Sequence, residues 1–236
     1  MSERKQKQLN RDLVNSCTYG SVEGIQHAID RGAELSATDR LGRSVLAIAV
    51  TSGDPGSVDL LIRFGCDVNT HHGKHGSTPL HAAVMVGNLE ACHSLLAAGA
   101  NVNALDGEAK TPLHDVALAS SHRKDLVDLL VSNGADIHVQ DQNGDMPLHL
   151  AARHSNGEVA QALLAQGADM EARNHKGKTP REVFAKFIPA RGTLDAKDVF
   201  QAYDRQQALG KIAGRGHDDL ADPEEVQAHL AHRQRM

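Results

Sequence analysis

A period of 33 to 35 residues runs through most of the chain and constrains its fold more than any other feature. The motif Thr-Pro-Leu-His begins at Thr78 and at Thr111, and Pro-Leu-His recurs after Met146. A diverged form begins at Ser44, and a form that keeps only Thr-Pro begins at Thr179. Recurrence at a fixed spacing of this length is typical of repeat architectures, in which each repeat is one structural unit.

A second marker has the same spacing. A glycine followed by a small residue recurs at Gly32, Gly65, Gly99, Gly134 and Gly167, at intervals of 33, 34, 35 and 33 residues. Two independent markers with one period predict a stack of equivalent units. In such a stack each unit buries its apolar face against its neighbours.

Each unit has the pattern of two helices. Thr78 is a good N-cap and Pro79 a good first helical residue. Leu80, Ala83 and Val84 then fall on one helical face. The second helix has its own apolar stripe at Leu89, Cys92, Leu95 and Leu96. Because one such pair cannot cover its own apolar face, stacking is needed to bury it.

The repeats resemble the ankyrin repeat family, whose hallmark is Thr-Pro-Leu-His-x-Ala at this period. The resemblance covers residues 9–188 and implies an all-α solenoid of helix–turn–helix units joined by β-hairpin-like fingers. Five to six units fit, with the first and last diverging as caps. Residues 1–8 are interpreted as a basic N-terminal tail, and residues 189–236 as a helical C-terminal extension.

Two units differ in length from the others. The segment His71–His75 adds one residue to a finger, and the segment Ala117–His122 adds two residues between the helices of its unit. Insertions in solenoids map to loops. Both are therefore expected outside the core.

The C-terminal extension leaves the repeat pattern. Thr193 to Leu209 is predicted to be a helix that docks on the last repeat as a cap. Gly210 to Gly216 is predicted to be a flexible break. Asp222 and Pro223 mark the start of a second helix. The alternative for this extension is a peptide that orders when it meets a partner.

Composition narrows the function classes. The net charge of −5 gives no support to nucleic-acid binding, since nucleic-acid binders usually carry a basic face. Residues 1–30 lack the apolar stretch of a signal peptide, and no run is long enough for a membrane span. Three cysteines, an odd number with wide spacing, argue against a disulfide framework. We therefore expect a cytoplasmic protein, monomeric on its own, that binds another protein and contacts neither nucleic acid nor membrane.

No motif predicts catalysis or a cofactor. The sequence contains no phosphate-binding loop, serine-hydrolase elbow or zinc-protease motif. His81, His114 and His149 occupy the family's histidine position, where the resemblance implies a structural role between adjacent fingers. His71, His72 and His75 are expected to form an exposed polar tip, with a divalent metal site as the alternative. The predicted sets of catalytic, cofactor and metal residues are therefore empty.

The resemblance places partner contacts on finger tips and on the solvent-facing ends of the inner helices, which together we term the concave face. The residues carried over to that face are Arg40, Leu41, His75, Met85, Val86, Glu108, Asn143, Arg153, His154 and His175. Leu41, Met85 and Val86 are apolar where a bare surface favours polar residues, which is the composition of a binding hot spot. For Met85 and Val86 the alternative is padding between neighbouring helices.

The resulting hypothesis is a non-catalytic protein–protein interaction module that acts as an adaptor, scaffold or inhibitor. The alternative is an effector or enzyme-associated protein whose C-terminal extension carries a separate activity.

Overall fold

The computed structural model describes residues 2–118, 123–183 and 196–218. The first ten helices form five successive pairs: α1 (Glu3–Thr18) with α2 (Val22–Asp30), α3 (Val45–Ser52) with α4 (Pro55–Arg63), α5 (Pro79–Val86) with α6 (Leu89–Ala97), α7 (Pro112–Leu118) with α8 (Lys124–Ser132), and α9 (Pro147–Arg153) with α10 (Gly157–Ala165). Helix α11 (Ala196–Asp218) follows them. The chain divides into two compact units, Met1–Lys197 and Asp198–Met236.

The ten paired helices form two layers. The inner helices α1, α3, α5, α7 and α9 contact one another in sequence order, and so do the outer helices α2, α4, α6, α8 and α10. The equivalent leucines Leu46, Leu80, Leu113 and Leu148 are fully buried between inner helices. This confirms the all-α repeat solenoid.

Helix boundaries follow the capping chemistry that the sequence indicates. Ser44 accepts a hydrogen bond from the Ala47 amide at the start of α3. At the start of α5 the Thr78 amide donates to Nδ1 of His81 at 3.2 Å. The outer helices α4, α6 and α10 begin at Asp54, Asn88 and Asn156, each of which accepts from a backbone amide three residues later. These caps satisfy amides that the first helical turn leaves without partners.

The fingers between the pairs are turns with little strand structure. Among the described residues the β-pairing is limited to two isolated bridges, Thr38 with Ser44 and His72 with Ser77. The extra residue of the His71–His75 finger is accommodated in this turn, because His72 bonds to a residue five positions on, whereas Asp39 bonds to Arg43 four positions on. The insertion therefore lies outside the core, as predicted.

Two boundaries differ from those that the sequence predicts. Helix α1 begins at Glu3, inside the segment interpreted as a tail. Its start is stabilised by an ion pair between Lys7 and Glu3 and by burial of Leu9 and Leu13 on one face. Helix α11 runs through the break predicted at Gly210 to Gly216, since a glycine in a helix interior costs only about 1 kcal/mol.

Other expectations fall on residues that the structure does not describe. The second helix predicted from Asp222 and part of the Ala117–His122 insertion lie outside the described residues. The proposed capping of the last repeat by the first tail helix stays a prediction.

Candidate protein-binding face

The finger tips are joined into one row by backbone hydrogen bonds. The amide of Gly73 donates to the Gly42 oxygen at 2.9 Å, and the amide of Gly107 donates to the His75 oxygen at 2.6 Å. The amides of Gln142 and His175 continue the row by donating to Glu108 and Asn143, each at 3.0 Å. Neighbouring tips therefore hold one another at a fixed spacing.

Close packing between fingers explains one glycine of the row. Gly144 has a φ of +73°, which favours glycine. A Cβ at this position would lie 2.6 Å from the backbone nitrogen of His175 and 2.6 Å from its ring carbon Cδ2. Position 144 therefore admits no side chain, and His175 packs directly on the preceding finger.

Each repeat histidine ties an inner helix to the next finger. His81 Nε2 lies 3.1 Å from the Lys110 oxygen, His114 Nε2 lies 3.1 Å from the Asp145 oxygen, and His149 Nε2 lies 3.0 Å from the Lys178 oxygen. In each, Nδ1 accepts from the amide three residues earlier. Burial lowers the pKa of all three imidazoles, which favours their neutral form. The structural role implied for these histidines is confirmed.

A second column of side chains, at the base of the fingers, is absent from the residues predicted from the sequence. The Asn69 side chain donates to the Gly99 oxygen and accepts from the Asn101 amide. Asn103 does the same one repeat later, with the Gly134 oxygen and the Asp136 amide. Asparagine at the same register in two successive units is the signal that could have revealed it.

The three apolar residues singled out on the concave face are exposed. Leu41 is 64% accessible, Met85 52% and Val86 49%. The carbonyl oxygens of Val84 and Met85 accept hydrogen bonds from the Arg123 guanidinium, which fixes the end of α5. Met85 and Val86 are therefore presented to solvent from an anchored backbone.

The polar residues of the predicted set divide into two groups. Arg40, His75, Asn143, His154 and His175 are exposed. Arg153 and Glu108 are already paired: Arg153 donates at 2.6 Å to Asp145, whose side chain is 1% accessible, and Lys110 donates at 2.6 Å to Glu108. Asn174 donates to the other Asp145 oxygen at 2.7 Å. Arg153 and Glu108 thus help to hold the fingers in place.

Asp115 is a buried acid that no sequence motif singles out. It occupies the place of Ala82 and Leu150 in neighbouring repeats, and it is buried on α7. Burial, together with the charges of Asp106 and Glu108, raises its pKa to about 7, and the charge of Lys110 opposes the shift. A carboxyl group that changes charge near neutrality therefore lies behind the fingers.

The remaining candidates for chemistry among the described residues are possible metal ligands and the cysteines. Within residues 2–118, 123–183 and 196–218, no three His, Cys, Asp or Glu side chains converge on a possible metal position. The three cysteines are free and buried. Burial raises the pKa of the Cys17 and Cys92 thiols to about 12 and that of Cys66 to about 11.

None of the helices in the described part of the chain combines the length and apolar character needed to cross a bilayer.

Comparison with known proteins agrees with this geometry. Models of ankyrin repeats match residues 13–106 and residues 115–164. Rabankyrin-5 of Homo sapiens is 36% identical over 151 residues, which cover 56% of this chain and 13% of that protein. The E3 ubiquitin-protein ligase KEG of Arabidopsis thaliana is 35% identical over 138 residues, which cover 56% of this chain and 8% of that protein.

A third relative matches more of the chain. Ankyrin repeat and SOCS box protein 16 of Homo sapiens is 34% identical over 177 residues, which cover 71% of this chain and 38% of that protein. The chain thus spans well under two thirds of the length of these three relatives. With the family matches over most of the repeat region, the histidine column and the finger row, the chain belongs to the ankyrin repeat family.

Proposed function

We propose that this chain is a non-catalytic binding module that holds a partner protein against its concave face. Ankyrin repeats are protein–protein interaction modules, and this chain carries five helix pairs of that kind. Adaptor, scaffold and inhibitor are the roles such a module serves. The observation that carries the proposal is the exposure of Leu41, Met85 and Val86 on a backbone fixed by hydrogen bonds.

Physical reasons support this surface as the contact. An apolar side chain that loses its accessible area on binding contributes about 25 cal/mol per Å². A surface that keeps its shape in the free state loses little entropy when a partner docks. The row of finger-to-finger hydrogen bonds supplies that rigidity. We propose Arg40, His75, Asn143, His154 and His175 as the polar rim around the apolar residues.

The compartment and the free state are part of the proposal. We propose a cytoplasmic protein that is monomeric before it binds. The support for this compartment is that Cys17, Cys66 and Cys92 are free thiols, as is usual where the surroundings are reducing.

Met85→Glu tests the proposed surface. The substitution places a charge among the apolar residues Leu41, Met85 and Val86. We expect that the variant no longer captures the partner proteins that the wild-type chain captures. Because Met85 is half exposed, the melting temperature should change little. Capture is measured by quantitative mass spectrometry of proteins retained on the immobilised chain.

Ala97→Glu is the matched control. Ala97 is exposed on α6, the outer helix of the same repeat. This variant is expected to capture the same proteins as the wild type. Undiminished capture by Met85→Glu would place the contact on another surface.

A further inference from the structure

Charge is distributed unequally between the two faces of the repeat stack. The outer helices carry the carboxylates Glu23, Asp30, Asp59, Glu90, Asp125, Asp128 and Glu158 against the cations Arg63 and Lys124. On the finger tips, four exposed cations form no ion pair among the described residues, namely Arg40, Lys74, Lys176 and Lys178. The face proposed for binding is thus the positive side of a chain whose net charge is −5.

The carboxylates of the same fingers are already engaged. Asp39 pairs with Arg43 at 2.8 Å, and Glu108 pairs with Lys110 at 2.6 Å. Asp106 accepts from the backbone amides of residues 108 and 110. Asp141 and Asp145 are buried. A partner that meets the finger tips therefore encounters unpaired positive charge and little free negative charge.

One place on this face is shaped to receive a side chain. Helix α1 and the first finger enclose a cleft of about 750 Å³, whose lining includes Arg11, Arg40 and Asn15. Of the two acids that line the cleft, Asp39 pairs with Arg43, and Glu34 accepts a hydrogen bond from the neutral Asn10 at 3.0 Å and keeps its charge. Arg11 and Arg40 are exposed and form no ion pair in the part of the chain that is described. Guanidinium groups bind carboxylates through paired hydrogen bonds.

We propose that the concave face recognises an acidic segment of its partner protein, with a carboxylate held by Arg11 and Arg40 in this cleft. The proposal rests on the function proposed above and specifies the chemistry of the partner. Leu41 follows Arg40 on the same finger tip and is 64% accessible. An apolar side chain of the partner, next to its carboxylate, can therefore pack on Leu41. The acidic outer helices repel such a partner and orient its approach toward the fingers.

A polyanion of another class, nucleic acid, fits this surface less well. Binding of single strands relies on stacking of bases on aromatic side chains. The five finger tips, residues 39–43, 72–77, 106–110, 141–145 and 174–178, contain no Phe, Tyr or Trp. Exposed Leu41, Met85 and Val86 also suit the apolar side chains of a protein.

Selection from a random peptide library tests the proposal even while the partner is unidentified. The whole chain is immobilised, and displayed peptides of about a dozen residues are enriched on it. The expected sequences pair Asp or Glu with Leu, Ile or Met. An enriched peptide is then synthesised with a fluorescent label, and its Kd is measured by anisotropy. Raising the salt concentration from about 0.05 M to about 0.5 M should increase this Kd, because salt screens the attraction between exposed charges.

Charge-reversal variants locate the site. Arg11→Glu and Arg40→Glu are each expected to raise the Kd of the peptide by about tenfold or more, because a repulsive pair of charges replaces an attractive one. The matched control is Arg63→Glu, an exposed arginine in the last turn of α4, which should change the Kd less than about twofold. Circular dichroism spectra of all three variants verify that the helices are intact.

Several results would overturn the proposal. They are enrichment of basic or uncharged sequences, the absence of any enriched sequence, an effect of Arg63→Glu equal to that of Arg40→Glu, and tighter binding by a single-stranded oligonucleotide of similar length. Failure of the proposed function has a different signature. If enriched peptides of any charge bind Met85→Glu, Arg11→Glu and Arg40→Glu all as well as they bind the wild type, the concave face itself is the wrong surface.

Discussion

Asp115 illustrates how one residue departs from an otherwise regular repeat. Neighbouring units have Ala82 and Leu150 at its position, whereas this unit has a carboxyl group there that is buried. Burial and the neighbouring charges of Asp106 and Glu108 raise its pKa to about 7, above the ordinary value of 3.8. Folding therefore favours the protonated form. The contribution of protonated Asp115 to the free energy of unfolding is complete below about pH 4 and is lost as the pH rises through 7.

Asp115→Asn should abolish this pH dependence, because the amide is neutral at every pH. Above pH 7 the variant is expected to be more stable than the wild type by about 1 to 3 kcal/mol, and near pH 4 the difference should vanish. Urea unfolding at both pH values measures it. Asp59→Asn on the exposed side of α4 serves as the control. Equal effects of Asp115→Asn at the two pH values would contradict the assignment.

At the scale of the element, the histidine column couples each inner helix to the following finger. The bond from His114 to the Asp145 oxygen spans 31 positions in the sequence, so it joins one repeat to the next. Since His114 is also the acceptor for the Thr111 amide, one ring satisfies two buried backbone groups. Loss of the ring leaves the Thr111 amide without that partner and removes one of two hydrogen bonds at the Asp145 oxygen, which also accepts from the Asp141 amide. A buried amide left unsatisfied costs more than the hydrogen bond itself contributes.

His114→Ala is expected to lower the free energy of unfolding by about 2 to 4 kcal/mol, from the unsatisfied Thr111 amide, the hydrogen bond lost at the Asp145 oxygen and the cavity. His93→Ala, on the exposed side of the outer helix α6, should cost less than about 0.5 kcal/mol. Chemical denaturation monitored by circular dichroism compares the two. A similar small loss for both variants would show that the histidine column does not stabilise the stack.

The sequence predicts repeated contacts well and contacts specific to one repeat poorly. Leu80, His81 and their equivalents recur at the period, so their burial and bonding follow from the family pattern. Arg123 reaches back to the end of α5 from beyond an insertion, and no periodicity indicates where such a side chain points. Arg153 is exposed in a helical projection, yet it is held by an ion pair with the buried Asp145.

The start of α1 is hard to predict for a related reason. Charge dominates residues 3–7, and a basic run at a chain terminus is commonly a solvated tail. The spacing of Leu9, Leu13 and Cys17 by four residues indicates one buried helical face. Together with the four-residue spacing of Glu3 and Lys7, this pattern could have led to the prediction of a helix that begins nearer the N-terminus.

At the scale of the whole molecule, stability depends on the interfaces between neighbouring repeats. Leu148 lies at one such interface and is 1% accessible. We expect Leu148→Ala to destabilise the stack by about 2 to 5 kcal/mol, because the shorter side chain leaves a cavity. Leu105→Ala, at a leucine that is 48% accessible, is the control and should change stability by less than about 0.5 kcal/mol. Equal losses in thermal unfolding would argue against the stacked core.

The central claim is that a partner protein binds the row of fingers and the exposed ends of the inner helices. Hydrogen–deuterium exchange of the chain, with and without a partner captured by the wild type, tests it most directly. We predict that slower exchange concentrates at residues 39–43, 72–77 and 84–87, while α4, α6 and α8 exchange as in the free chain. Protection confined to the outer helices, with unchanged exchange at the fingers, would contradict the claim.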